Sequence, residues 1–196
     1  MLFRSHGLVL ASVGAGDKFT YKKSRRGNAE IDQAVLNVLR HSGSSYDILD
    51  FSPYGYDERQ YCSPGFNLPV GVLSRTPHGR YPEYHTSADN LDLVRPASLT
   101  DSLLKALSIV EVVEGNGVYT NRNPKGEPQL GRRGLYSTMG GHGDSRSREE
   151  ALLWVLNLSD GSHTLLDIAE RSQLPFDVIR QVASTLQQHE LLSETS

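Results

Sequence analysis

The sequence predicts an α/β domain with a mostly parallel sheet, followed by a small helical domain of winged-helix type. Two observations carry this. Over residues 1–115, short apolar runs alternate with helical periodicity in the order strand, helix, strand, strand, helix, the pattern of a layered α/β domain. From Ser147 onward the periodicity is helical throughout, with a tight turn between the second and third segments, as in a helix-turn-helix core. Residues 1–115, 116–146 and 147–196 are therefore read as an α/β part, a linker or crossing segment, and the helical domain.

The elements follow in order. Residues 7–13 (Gly-Leu-Val-Leu-Ala-Ser-Val) form a compact apolar run that reads as a buried strand turning at Gly14 and Gly16. Phe19 to Lys22 reads as a short further strand. A helix is expected from Asn28, a good N-cap, with Glu30 in its first turn; Ile31, Val35, Val38 and Leu39 recur at helical spacing and Gly43 closes it. Tyr46 to Phe51 and Leu68 to Leu73 read as strands, separated by a loop rich in Pro, Gly and Tyr. A long polar loop then leads to a helix announced by Ser98-Leu99-Thr100-Asp101, with Leu99, Leu103, Leu107 and Val110 as its core-facing stripe. In the following segment Leu130, Leu135 and Tyr136 are expected to pin the chain to a surface. The last three helices are placed at Glu150–Leu158, containing Trp154, at Leu165–Arg171 and at Pro175–Gln188, where Val178, Ile179, Val182 and Leu186 form the inner stripe. Asp160-Gly161-Ser162 reads as a turn.

Composition narrows the partners. The 196 residues are 37% hydrophobic and 22% charged, ordinary for a globular protein. A formal net charge of -3 and a pI near 6.2 disfavour bulk attraction to nucleic acid or to an anionic membrane. The single cysteine, Cys62, has no internal disulfide partner and reads as a small buried residue. The apolar run near the N-terminus is far too short to span a membrane, so a cytoplasmic location is expected.

Candidate chemistry sits in two loops, because ligands of open α/β sheets collect beyond the carboxyl ends of strands. The loop after Phe51 offers Asp57-Glu58-Arg59-Gln60-Tyr61, and the loop after Leu73 offers Glu83-Tyr84-His85-Thr86-Ser87-Ala88-Asp89-Asn90. A carboxylate from one and an imidazole from the other form a split metal site in one reading, since zinc accepts both donors. In the other reading, Asp-Glu-Arg is a solvated or helix-capping turn and the histidine is an ordinary loop residue. The basic run Lys22 to Arg26 reads either as an anion site ahead of a helix or as a solvated turn, and the turn is favoured. His78, between Pro77 and Gly79, reads as a turn residue, and His142 as solvated.

Tyr56-Asp57-Glu58-Arg59-Gln60-Tyr61, with Ser63-Pro64-Gly65-Phe66-Asn67-Leu68-Pro69-Val70 behind it, resembles the late metal loop of the co-catalytic zinc exopeptidases. Tyr84-His85-Thr86-Ser87-Ala88-Asp89-Asn90 is similar to their final ligand motif. The likeness is nearest to bacterial aminopeptidase-like proteins ending in a winged helix, and it extends to Tyr21-Lys22-Lys23-Ser24-Arg25-Arg26-Gly27 and Pro124-Lys125-Gly126-Glu127-Pro128-Gln129-Leu130-Gly131. The resemblance implies a partial exopeptidase sheet and two zinc ions, with Asp57 a ligand of one and His85 of the other. Arg59, Glu83 and Tyr84 would line the substrate cleft. It also implies a general base and further ligands upstream of this chain, so the expectation is a truncated polypeptide, inactive alone and holding zinc weakly. A peptide or amide substrate follows for the complete protein; the alternative is a non-catalytic aminopeptidase-like scaffold whose winged helix contacts proteins. An exposed apolar sheet edge suggests a homo-oligomer.

Charge decides the expectation for the tail. Over residues 147–196, Arg148, Arg171 and Arg180 face Glu149, Glu150, Asp160, Asp167, Glu170, Asp177, Glu190 and Glu194. An acidic module repels phosphate, so packing or dimerisation is expected there in preference to nucleic-acid binding.

Overall fold

The computed structural model describes residues 6–135 and 145–195. It divides into two compact units, Met1–Val113 and Glu114–Ser196. Tyr136 and His142 lie outside the described residues.

In the first unit, β1 (Gly7–Leu10), β2 (Phe19–Lys22), β3 (Tyr46–Leu49) and β4 (Val70–Ser74) form one sheet in the order β1-β4-β2-β3. β1 runs parallel to β4 and β2 parallel to β3, while the central β2–β4 pair is antiparallel. The sheet is therefore mixed, with two parallel pairs pointing in opposite directions. β1 ends at Leu10, short of the expected residue 13, because Ser12 turns into the left-handed region at φ 51°.

Strand alternation divides the sheet into two faces. Phe19, Tyr21 and Leu73 point to the face covered by α1 (Glu30–His41), whose Ile31, Ala34, Val35 and Leu39 are buried. Val38, expected in that stripe, is only half-buried. α1 begins after Ala29, because Asp32 reaches back to the Ala29 amide at 2.9 Å and takes over the capping role expected of Asn28. Asp32 also accepts from the Tyr21 hydroxyl (2.8 Å), the Ser24 amide (2.7 Å) and the Ser24 hydroxyl (2.6 Å). Gly71 leaves room for Tyr21, since a Cβ there would collide with the phenol.

α3 (Pro96–Gly115) starts two residues before the expected Ser98, with Pro96 suited to a first turn. Its buried side is Ser98, Ser102, Ile109 and Val112. The stripe Leu99, Leu103, Leu107 and Val110, expected in the core, is exposed. Polar anchors decide the orientation: Ser102 Oγ donates to Val13 O at 2.9 Å, and Arg75, lying 4.3 Å from the Phe19 ring centroid, pairs with Asp101 at 2.8 Å. These bonds turn the hydroxyl-bearing side inward and leave the leucines outward.

The second unit is built on a three-stranded sheet, β6-β5-β7, of β5 (Val118–Asn121), β6 (Asp160–Thr164) and β7 (Leu192–Glu194). Val118–Asn121, read from sequence as linker, is the middle strand, held by Asn121 N to Ser159 O (2.7 Å) and Asn121 Nδ2 to Leu156 O (2.8 Å). Asp160-Gly161-Ser162 opens β6, where a turn was expected. Leu130 and Leu135 are buried, as expected. Helices α4 (Ser145–Leu158), α5 (Leu165–Ser172) and α6 (Phe176–Gln188) pack Leu152, Val155, Leu166, Ile168, Ile179 and Leu186 into one core. α4 begins earlier than the expected Glu150, and Pro175 caps α6 from outside its first turn. Three helices with flanking antiparallel strands form a winged helix.

Candidate functional site

The second face of the sheet, formed by Thr20, Lys22, Leu49, Val72 and Ser74, meets loops. β3 and β4 end at opposite ends of the sheet, because the β2–β4 pairing is antiparallel. The loops that follow them therefore do not gather beyond one set of strand ends. They fold back from both ends and meet over this face, where the Tyr54 hydroxyl and His78 Nε2 are 2.9 Å apart.

The first loop is held by a buried ion pair. Glu58, at the start of α2 (Glu58–Tyr61), is fully buried against Lys22, whose side chain is 12% exposed. Lys22 Nζ also donates to Tyr54 O (3.0 Å) and Ser52 O (3.3 Å), and Glu58 Oε2 accepts from the Tyr56 amide (2.9 Å). Such a pair balances its desolvation only when every remaining polar site is bonded, as here. A Cβ at Gly55 would strike both partners. Of the basic run, Lys22 is consumed here, while Arg25 and Arg26 stand exposed in the turn that the sequence favoured, Arg26 donating to Asn67 O (2.8 Å) and Arg25 to Asn67 Oδ1 (3.1 Å).

The second loop contributes a chain of rings. The His78 ring lies 5.1 Å from Tyr54 and edge-on to Tyr84 at 4.6 Å; Tyr84 meets Tyr81 at 5.5 Å and stacks on His85 at 4.0 Å. Loss of solvent around the rings, reinforced by Tyr56, Tyr54 and Asp89, holds the Tyr84 hydroxyl above its ordinary pKa. Beneath the rings is a cavity of about 190 Å³, floored by Thr20, Val72 and Ser74 and rimmed by Tyr54, His78 and Arg80. Tyr56 also lines it, and the Tyr56 hydroxyl is buried with no hydrogen-bond partner among the described residues. A buried hydroxyl without a partner costs about 1–3 kcal/mol.

The residues expected from sequence all lie in these two loops. Asp57 is exposed at the N-cap of α2 and lines a separate groove of about 490 Å³ along β1, with His6, Leu8, Tyr61 and Val70. His85 is exposed at the far end of the ring chain, with φ 57°. Tyr84 belongs to the ring chain, Arg59 is exposed, and Glu83 contributes its carbonyl to Thr86 Oγ1 at 2.7 Å. Among the described residues no three His, Cys, Asp or Glu side chains gather into a metal site. Taken by themselves, the described residues do not complete a zinc site.

Sequence reading missed the Lys22–Glu58 pair and the Tyr54–His78 closure. The density of tyrosines in the two loops was the available signal. Pairing across two loops is not visible in spacing along the chain. Cys62 is buried, as expected, with its thiol directed at Leu68 O and Val70 O, both at 3.3 Å. No helix among the described residues is long and apolar enough to cross a membrane.

Comparison with known proteins extends these observations. Residues 3–116 match a family described as a domain of unknown function, DUF4910, and residues 117–194 match a winged helix-turn-helix family. The chain is 48% identical over 186 residues to a Clostridium acetobutylicum protein named "Putative polysaccharide biosynthesis protein with aminopeptidase-like domain", covering 95% of this chain and 43% of that protein. It also superposes on the crystal structure of a "putative peptidase" from Clostridium acetobutylicum with a TM-score of 0.87 and 45% identity, covering 97% of this chain and 42% of that one. The chain thus spans less than half the length of either relative.

Proposed function

The chain belongs to the DUF4910 family, with a winged helix-turn-helix behind that domain, and on this premise we propose that it forms part of an aminopeptidase-like hydrolase acting on a peptide or amide bond. The observation that carries the reading is its 48% identity, across nearly its whole length, to a protein with an aminopeptidase-like domain. The cleft supports it. Tyr56 lines the cavity, Arg80 and His78 supply polar groups at its rim, and the Tyr54–His78 hydrogen bond joins the two loops that frame it.

Zinc belongs to the proposal as a shared centre. Asp57 and His85 are the donors this chain would bring, and other donors would have to come from beyond its described residues, since catalytic zinc normally takes three protein ligands.

The test is a chimera in which this chain replaces the matching residues of the Clostridium acetobutylicum relative. Bound zinc by elemental analysis and release of an N-terminal residue from aminoacyl anilides are expected, and both should fall to background on His85→Ala. Undiminished zinc and turnover in His85→Ala and Asp57→Ala would remove those residues from the site. A folded chimera that hydrolyses no anilide would identify a non-catalytic aminopeptidase-like scaffold instead.

A further inference from the structure

The two edges of the first sheet are built differently. On β3, Asp47 pairs with Lys18 at 2.6 Å, and charge on an edge strand discourages another strand from pairing. On β1, the run Gly-Leu-Val-Leu carries neither charge nor proline. The Gly7 and Ala11 amides donate toward β4, to Pro69 O at 3.0 Å and Leu73 O at 3.2 Å. Alternation along a strand then turns the amides of Leu8 and Leu10 outward. No described strand takes them.

Both sides of this edge are open and apolar. On the loop side runs the groove of about 490 Å³ lined by Leu8, Val9, Leu68 and Val70. On the helix side Leu10 is 47% exposed, and the loop leaving β1 is tied to α3 through Arg95 N to Gly14 O at 2.8 Å and Ser102 Oγ to Val13 O. Along α3, Leu99, Leu103, Leu104, Leu107 and Val110 are each between 45% and 59% exposed. Soluble proteins seldom leave an apolar patch of this kind open, and parallel strands are ordinarily covered on both sides.

The relatives indicate what covers it. The same sheet and helix occur in a chain more than twice as long as the matched part, with the fold retained. We propose that the β1 edge and the α3 stripe form one docking face for the rest of the aminopeptidase-like fold: the polypeptide that the relative carries outside the matched 43%. A strand of that polypeptide pairs with the outward amides of Leu8 and Leu10, and its apolar side chains cover Leu103 and Leu107. The identity of this occupant rests on the aminopeptidase-like reading above.

Assembly, rather than hydrolysis, tests it. The full chain is co-expressed with the part of the Clostridium acetobutylicum relative outside the match, and the product is examined by light scattering and amide exchange. A one-to-one complex is expected, with exchange at Leu8 and Leu10 slowed on the order of 100-fold. Leu103→Glu with Leu107→Glu, and separately Leu10→Lys, should abolish it while leaving the melting of the chain itself unchanged. Three results would overturn the proposal: failure of the two polypeptides to associate, a homodimer of this chain that persists in their presence, or a complex indifferent to both variants. Because no catalytic readout enters, an inactive but assembled complex counts against the hydrolase reading alone.

Discussion

Asp32 is a single carboxylate on which a strand, a loop and a helix N-terminus all depend. It is fully buried, and Tyr21, Ser24 and Ala29 all donate to it. Burial raises the Tyr21 pKa, and the neighbouring Asp32 carboxylate raises it further, so the phenol stays a donor at any ordinary pH. Removing the acceptor would strand donors that water cannot reach, each costing about 1–3 kcal/mol. Asp32→Ala is therefore expected to lower unfolding free energy by roughly 3 kcal/mol or more in a urea titration. Asp32→Asn, which keeps an acceptor, should cost less. Equal stability of the alanine variant and the parent would show that this network is not what holds β2 to α1. None of this was legible beforehand, because an aspartate three residues after an alanine carries no sign of the strand and loop donors that fold brings to it.

Elements differ in how much of their behaviour is local. α5 is specified within itself: Thr164 Oγ1 accepts from the Asp167 amide at 3.1 Å, and Asp167 Oδ2 accepts from the Thr164 amide at 2.9 Å. Thr164→Ala should destabilise the winged-helix unit by about 1 kcal/mol, visible as a lower melting temperature, while Thr164→Ser should be close to neutral. An alanine variant that melts with the parent would make the cap ornamental. α3 is the opposite case. Its leucine spacing announced a helix correctly and its buried face wrongly, because Ser98, Ser102 and Asp101 make the bonds that orient it. An amphipathic pattern identifies a stripe that requires cover without identifying the cover.

For the whole molecule, charge bears on the role of the winged helix. The chain carries a formal net charge of -3, and phosphate attraction needs clustered cations. The full chain is expected not to retain duplex DNA in a mobility-shift assay at low salt. Salt-sensitive retention at low protein concentration would reverse that expectation.

Local periodicity alone settled that this chain has an α/β part and a winged helix behind it, because alternation and helical spacing are properties of neighbouring residues. The two tyrosine-rich loops were also identifiable as candidate places for chemistry. Only the tertiary structure decided how those loops meet. An antiparallel pairing in the middle of the sheet sends β3 and β4 in opposite directions, so their loops converge across a face. That convergence joins Tyr54 to His78, since which side chains touch depends on strand direction, a non-local quantity that no stretch of sequence contains.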